Sequence, residues 1–291
     1  MIIKELDLGC DDPINQFFCS EQRSAIQRVV HAITNTGGFI AGGFARHAAL
    51  KSLGMSSVDL CSYLSSGDID FYFPTIAAYE TAVYNVLTVF RDSKNLTGTF
   101  KKNRKVYTGL YDEELFVFSV LSSDTGVAEE KLLEYNYHSS TLFLSNRKIQ
   151  LVKLNTGSVP DVLKSFDFFN SMVAYDNGKY FCSDKWERIE REHVLDVNEM
   201  HKWSTISRAI KYFFSRHLRA FSSESVDIVR RFVLDNLVDQ HAFTNINKIM
   251  HVSQLFSIFS NEDLLLMGAA FPRSYVYKNT FDEIARRCNS Y

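Results

Sequence analysis

The chain has 291 residues, of which 46% are hydrophobic and 23% are charged. Lysine and arginine number 32 against 34 acidic residues, and this balance excludes a histone-like or polybasic protein. The composition also excludes a disordered chain, and the length suggests one large domain or two ordinary ones. The sequence shows neither an apolar run long enough for a transmembrane helix nor a secretory signal, so we expect a cytoplasmic protein with no membrane partner.

The first predicted elements are a helix, a strand and a second helix. Apolar residues recur at helical spacing over residues 15–35. A short strand over 38–41 then runs into Gly42-Gly43, and the alanine-rich segment 44–51 favours helix. The polar, serine-rich segment 54–67 is expected to be a loop.

A second strand follows at residues 68–73, where Asp68 and Asp70 alternate with the apolar residues Ile69 and Phe71, and Pro74 ends the strand. Thr75 is the expected N-cap of a helix to about residue 91. Residues 96–121 are typical of two or three strands, with a basic run over 101–105 expected at a hairpin tip.

The elements predicted between this region and residue 183 are a helix at 129–136, a hairpin of 141–144 with 148–154, a helix at 159–164, a strand at 167–175 and an Asn177-Gly178 turn. From residue 184 onward helical spacing dominates. The helices predicted there cover 186–193, 205–221, 225–238, 252–260 and 281–287. We therefore predict an α+β first domain over 1–183 and an all-α domain over 184–291.

The candidate chemistry lies at the glycine pair and the second strand. Residues two apart on a strand point the same way, so Asp68 and Asp70 project from one face. Two close carboxylates repel each other unless a cation lies between them, and oxygen ligands suit Mg²⁺ or Mn²⁺. Gly42 and Gly43 precede a helix, whose free N–H groups favour an anion. A phosphate site beside a metal site indicates a nucleoside triphosphate.

This order of motifs resembles the polymerase-beta-like nucleotidyltransferase superfamily, whose pattern is G-[GS] followed by a D-x-D strand. Gly42-Gly43-x-x-Arg46 looks most similar to the head domains of CCA-adding enzymes and poly(A) polymerases, although His47 stands where they have aspartate. The sequence over roughly residues 25–180 also resembles viral and phage nucleotidyltransferase-like proteins, and this resemblance implies that, if a phage encodes the chain, the expected cytoplasm is that of the host. The resemblance implies a nucleotidyltransferase-like mixed sheet flanked by helices, and an enzyme that uses two Mg²⁺ ions.

The resemblance also implies a third carboxylate from a later strand. Asp167 is the leading candidate for this third catalytic and metal-binding residue, with Asp161 and Asp112 as alternatives. Further nucleotide-binding candidates implied by the resemblance are Arg46, Arg208 and Lys211, in addition to Gly42 and Gly43.

The expected reaction moves a nucleoside monophosphate from a triphosphate to an acceptor hydroxyl and releases pyrophosphate. The favoured acceptor is an RNA 3′ end of the tRNA type, because residues 200–235 carry an excess of Lys and Arg that could follow an RNA backbone. The acceptor could instead be a protein or a small molecule. The rival class is a non-catalytic binding or virion protein that keeps the fold. The sequence leaves the oligomeric state open.

Overall fold

The structure is a computed structural model and describes residues 1–8, 13, 23–56, 67–92, 100–107, 111–121, 128–135, 139–144, 147–200, 202–215, 218–237 and 257–269. The chain divides into two compact units. Unit 1 contains Met1–Phe166 and Ser171–Asp184, and unit 2 contains Asp167–Asn170 and Lys185–Tyr291.

Unit 1 combines strands and helices. Its strands are β1 (Ile3–Leu6), β2 (Phe39–Ala41), β3 (Ile69–Tyr72), β4 (Phe100–Tyr107), β5 (Tyr111–Leu121), β6 (Ala128–Tyr135), β7 (Ser139–Leu144), β8 (Arg147–Val152), β9 (Val173–Asp176) and β10 (Lys179–Ser183). Its helices are α1 (Arg23–Thr34), α2 (Gly43–Ser52), α3 (Ile76–Asp92) and α4 (Val159–Lys164).

The strands of unit 1 form a single sheet in the order β1-β10-β9-β2-β3-β8-β7-β6-β5-β4. Among these described strands, β3 and β8 run parallel, whereas the other neighbouring pairs are antiparallel. Helix α2 contacts β2, β3 and β9, and α4 contacts β9 and β10. The predicted α+β class, with a mixed sheet flanked by helices, is therefore confirmed.

The centre of this sheet is covered on both faces. Phe39, Ile40 and Ala41 of β2 are all at most 3% exposed. Since neighbouring side chains of a strand point to opposite faces, three buried residues in a row require packing on both sides. Ala45 and Ala49 of α2 are fully buried, and their small side chains allow the helix backbone to lie close to its neighbours.

Several local predictions are confirmed because short-range chemistry decides them. Strand β3 ends just before Pro74, and Thr75 caps α3 by accepting a hydrogen bond from the Ala78 N–H at 3.1 Å. Asn177 and Gly178 turn β9 into β10 with φ values of 47° and 83°, the left-handed values that an Asn-Gly turn accepts.

Two other local predictions are wrong. Residues 129–136 were expected to be helical, yet Ala128–Tyr135 is strand β6, paired on both sides with β5 and β7. Backbone pairing with two neighbours outweighs the helical preference of its Glu, Lys and Leu residues. The basic run over 101–105 lies within β4, which is an edge strand of the sheet, rather than at a hairpin tip.

The strand predicted over 167–175 begins only at Val173. The preceding residues contain an isolated bridge between Phe168 and Val197 and a short 3₁₀ turn over Phe169–Ser171. Phe168 is 1% exposed and belongs to the core of unit 2. The segment predicted as one strand is therefore divided between unit 2 and strand β9 of unit 1.

Unit 2 is mainly helical. Its described elements are α5 (Trp186–Glu192), β11 (Val194–Leu195), α6 (Trp203–Ser215), β12 (Ala220–Phe221), α7 (Ser223–Asp235) and α8 (Asn261–Ala269). The two short strands pair in parallel, so this unit adds a small strand pair to the helices that the sequence predicted. The helix predicted over 205–221 ends at Ser215.

A buried polar network lies under α7. Asp196 is 1% exposed, and its Oδ1 accepts hydrogen bonds from the hydroxyls of Ser222 and Ser225. The Ser225 hydroxyl in turn accepts a bond from the Val197 N–H at 2.7 Å. Lys185 Nζ lies 3.7 Å from Asp196 Oδ2. A buried carboxylate needs such partners, because burial without them is costly.

Some predictions lie outside the described residues. These are the start of the first helix (15–22), most of the loop over 54–67, and the helical segments at 252–256 and 281–287. Within the part of the chain that the structure describes, no helix combines the length and the apolar character needed to cross a bilayer.

Candidate functional site

The glycine pair forms a tight turn between β2 and α2. Gly42 has φ 87° and ψ −140°, a conformation that residues with a Cβ rarely adopt. Its N–H donates to the Val173 carbonyl at 2.9 Å, and its own carbonyl accepts from the Arg46 N–H at 2.9 Å as α2 begins. A Cβ at Gly42 would lie 3.8 Å from the Phe166 ring, an ordinary contact. The backbone angles, rather than lack of space, therefore require glycine at this position.

The sheet brings this turn next to the two aspartates. Strand β2 is antiparallel to β3, with Phe39 opposite Tyr72 and Ile40 opposite Phe71. Continued by one residue, this register places Ala41 opposite Asp70. The glycine turn after β2 and the Asp-Ile-Asp segment that opens β3 therefore lie at the same edge of the sheet.

The predicted alternation of the D-x-D segment is confirmed. Ile69 is 2% exposed, whereas Asp68 and Asp70 are half-buried. The side chain of Asp68 keeps 39% of its surface exposed. The two carboxylates therefore share a face on which solvent and ligands can reach them.

Strand β8 supplies two neighbours that the sequence analysis missed. Its parallel register places Ile149 beside Ile69 and Gln150 beside Asp70. Lys148 Nζ lies 2.8 Å from Asp68 Oδ2. Lys148 and Gln150 alternate with buried apolar residues in the same way as the aspartates, and this was the available signal. Nothing in that pattern indicates which strand β8 would join.

Gln150 links the two carboxylates. With its amide nitrogen turned toward them, it donates to Asp68 Oδ2 at 3.1 Å and to Asp70 Oδ1 at 3.0 Å. The opposite orientation would place the amide oxygen against carboxylate oxygens, so hydrogen bonding decides the orientation. Lys148 and Gln150 together therefore reduce the repulsion between Asp68 and Asp70.

Arg46 and His47 lie on α2 and are buried, with 4% and 6% of their surfaces exposed. A guanidinium buried to this degree is normally held by partners within the protein. The contact between Arg46 and a triphosphate stays a prediction.

Asp167 belongs to unit 2, outside the strands of the sheet. Its carboxylate forms an ion pair with Arg208 and accepts a hydrogen bond from Thr205 Oγ1 at 3.1 Å. Two predicted site residues, Asp167 and Arg208, thus bind each other. Lys211 lies exposed on the same helix, α6. The roles of these three residues in metal or nucleotide binding stay predictions.

The alternatives to Asp167 occupy other places. Asp161 forms a capping box with Ser158 at the start of α4. The hydrogen bond from the Ser158 hydroxyl lowers the pKa of Asp161, and the Ser158 backbone N–H lowers it further. Asp112 lies in β5, opposite Val106 of β4.

A divalent cation is compatible with the residues at this edge of the sheet. Among the described residues, no group of three or more His, Cys, Asp or Glu side chains could hold a metal ion. Mg²⁺, however, commonly binds through one or two carboxylates together with water and substrate phosphates. The Lys148–Asp68 pair is about one-third exposed on each side, and such pairs contribute about 0–1 kcal/mol. A cation could therefore displace the ammonium from Asp68.

Comparison with known families gives a match over residues 14–192, more than half of the chain, to the family described as "Gad2: Gabija anti-defense 2 family protein". A comparison with curated proteins finds no match. The match overturns the assignment to the polymerase-beta-like nucleotidyltransferase superfamily. That assignment was wrong because it depended on two short motifs, a glycine pair and D-x-D, which unrelated chains also carry. The chain belongs to the Gabija anti-defense 2 family.

Proposed function

We propose that this chain counteracts the Gabija defence by nucleotidyl transfer at the edge of the sheet where the glycine turn meets Asp68 and Asp70. The family supports the anti-defence role. The chemistry is supported by one observation above all, the β2–β3 register that brings a glycine turn, a helix N-terminus and two carboxylates together.

The glycine turn and α2 suit the phosphates of a nucleotide. The first turn of α2 contains no acidic residue, so no side-chain charge in that turn opposes the positive end of the helix dipole. Gly42 has no side chain to hinder an approaching phosphate, and the first N–H groups of a helix are free to donate to it.

The two carboxylates suit the divalent cation that accompanies a nucleoside triphosphate. Asp68 and Asp70 would hold Mg²⁺ or Mn²⁺, which when bound neutralises charge on the phosphates. In the transfer, an acceptor hydroxyl oxygen bonds to the α-phosphorus. At the same time the bond breaks between the α-phosphorus and the oxygen that bridges the α- and β-phosphates. Pyrophosphate leaves, and the hydroxyl proton passes to solvent. The contribution of the chain is to position the groups and to balance their charge.

The acceptor expected from the sequence is an RNA 3′ end, reached in the cytoplasm. Its support came from the basic residues of the helical region, and the structure describes partners for two of them. Arg208 pairs with Asp167, and Arg230 binds Asp263 through two nitrogens. RNA is still the acceptor to be tested first, because Lys202, Lys211 and Arg219 of the same region are exposed, with protein and small molecules as the other outcomes.

The test combines labelling with infection. Cells that carry the Gabija defence are infected with a phage that this defence blocks, with and without the chain. Their lysates are then incubated with the purified chain and each α-labelled triphosphate, and the labelled product is treated with RNase or protease. We expect the chain to restore infection and to label an acceptor that RNase destroys. Label that survives RNase but not protease would identify a protein acceptor.

The matched variants separate catalysis from binding. Asp68→Asn with Asp70→Asn removes the carboxylate pair, whereas Glu80→Gln removes an exposed carboxylate of α3 in the same unit. We expect the double variant to lose both labelling and the restored infection, and Glu80→Gln to keep both. A double variant that still restores infection fully would refute nucleotidyl transfer and support a non-catalytic binding protein.

A further inference from the structure

We propose that Lys148 is a positioning residue that acts as a built-in counter-cation, holding Asp68 when no divalent cation is bound and competing with that cation for the carboxylate. This inference rests on the proposed function, because it concerns the regulation of the same site.

The first support is the position of Lys148 in the sheet. The parallel register of β3 and β8 pairs Asp70 with Gln150, so two residues back along both chains Lys148 comes beside Asp68. The 2.8 Å distance from its Nζ to Asp68 Oδ2 is that of a direct, charge-assisted hydrogen bond. The contact is therefore built by the sheet itself.

The second support is exposure. The side chains of Lys148 and Asp68 retain 35% and 39% of their surfaces exposed. Water screens such a pair, and its contribution to stability is small. Lys148 can therefore leave Asp68 without unfolding the sheet, as a competitor must.

The third support is the difference in charge between Lys148 and Gln150. Gln150 contacts both carboxylates but carries no charge. Lys148 adds a full positive charge at one end of the pair, where a divalent cation would be repelled. Removing that charge should strengthen metal binding, because the repulsion and the competition for Asp68 disappear together.

The chain offers a matched control. Lys153 lies just beyond β8, and its Nζ lies 5.8 Å from the centre of the Tyr79 ring. Lys153→Met changes the net charge by the same amount as Lys148→Met, but at a different place. Lys148→Arg keeps the charge beside Asp68 and is the conservative variant.

The test measures Mn²⁺ binding to the full chain without nucleotide, from the electron paramagnetic resonance signal of free Mn²⁺. We expect Lys148→Met to bind Mn²⁺ about three- to tenfold more tightly than wild type, because this is the effect on affinity expected from removing one nearby positive charge that water and salt partly screen. Lys148→Arg and Lys153→Met should bind as wild type does, and Asp70→Asn should bind more weakly.

The outcomes separate this inference from the proposed function. If wild type binds Mn²⁺ in a way that Asp70→Asn weakens, but Lys148→Met binds no more tightly, the role of Lys148 is overturned while the metal site stands. Equal tightening in Lys148→Met and Lys153→Met would also overturn it, since only overall charge would matter. If no variant binds Mn²⁺, the inference is overturned, whereas the proposed function is judged by the labelling test, in which the triphosphate helps to hold the cation.

Discussion

Ser225→Ala should destabilise unit 2, because Ser225 holds the buried network around Asp196. The serine is fully buried, its hydroxyl donates to Asp196 Oδ1 at 2.8 Å, and it accepts from the Val197 N–H at 2.7 Å. Alanine removes both bonds and leaves the Val197 N–H without this partner.

The expected loss follows from these two contacts. A hydrogen bond to a charged group contributes about 1.5–3 kcal/mol, and an unsatisfied buried N–H costs about 1–3 kcal/mol. The Ser222 hydroxyl still donates to the same Asp196 oxygen, so the lower end of the first range applies. We therefore expect the free energy of unfolding of unit 2 to fall by about 3 kcal/mol.

Tryptophan fluorescence is a suitable assay, because both tryptophans of the chain, Trp186 and Trp203, are buried in unit 2. Urea titrations followed by this signal report the unfolding of that unit. Ser223→Ala changes an exposed serine of the same helix and should cost less than about 0.5 kcal/mol. If Ser225→Ala lost no more than Ser223→Ala, the network would not carry the stability assigned to it.

Three further predictions concern other contacts. Gly42→Ala should lower the free energy of unfolding of unit 1 by about 1–3 kcal/mol, measured by urea titration followed by circular dichroism, since φ 87° strains any residue with a Cβ; a loss below about 0.5 kcal/mol would refute this. The hydrogen bond from Arg230 lowers the pKa of Asp263 below its ordinary value of 3.8. The stability contributed by the ionised Asp263 is therefore fully present above about pH 3.8, and it is lost as the pH falls through the lower pKa that Asp263 has in the folded protein. Acid titrations should show a smaller loss in Arg230→Met than in wild type, because the Ser260 hydrogen bonds that also lower this pKa remain, and equal curves would contradict the role of Arg230. Gln150→Leu should lower the melting temperature by removing the donor between the two carboxylates, and Mn²⁺ should raise the melting temperature of this variant more than that of wild type; an equal Mn²⁺ effect on both proteins would exclude the bridging role.

The features that the sequence predicted best are those whose backbone conformation is determined by residues close together in the sequence. The glycine turn before α2, the strand that Pro74 closes and the Asn177-Gly178 turn all follow from backbone preferences within a few positions. The family was misassigned for a related reason. A turn and a D-x-D strand describe local geometry, and local geometry alone does not identify a family.

Part of the candidate site could be predicted in the same way. Side chains two residues apart on a strand point to the same face, so the sequence was sufficient to predict that the carboxylates of Asp68 and Asp70 share a face. Their charge partners were not, because Lys148 lies far away in the sequence and reaches Asp68 only through the parallel pairing of β3 with β8.

The sequence by itself determined the α+β class, the glycine turn and the paired carboxylates, because periodicity and backbone angles are local properties. Only the tertiary structure decided that residues 128–135 form a strand, that Asp167 binds Arg208, and that Lys148 and Gln150 meet the two aspartates. Each of these contacts joins segments distant in sequence. The packing of the whole sheet or core selects them, and no local preference encodes that selection.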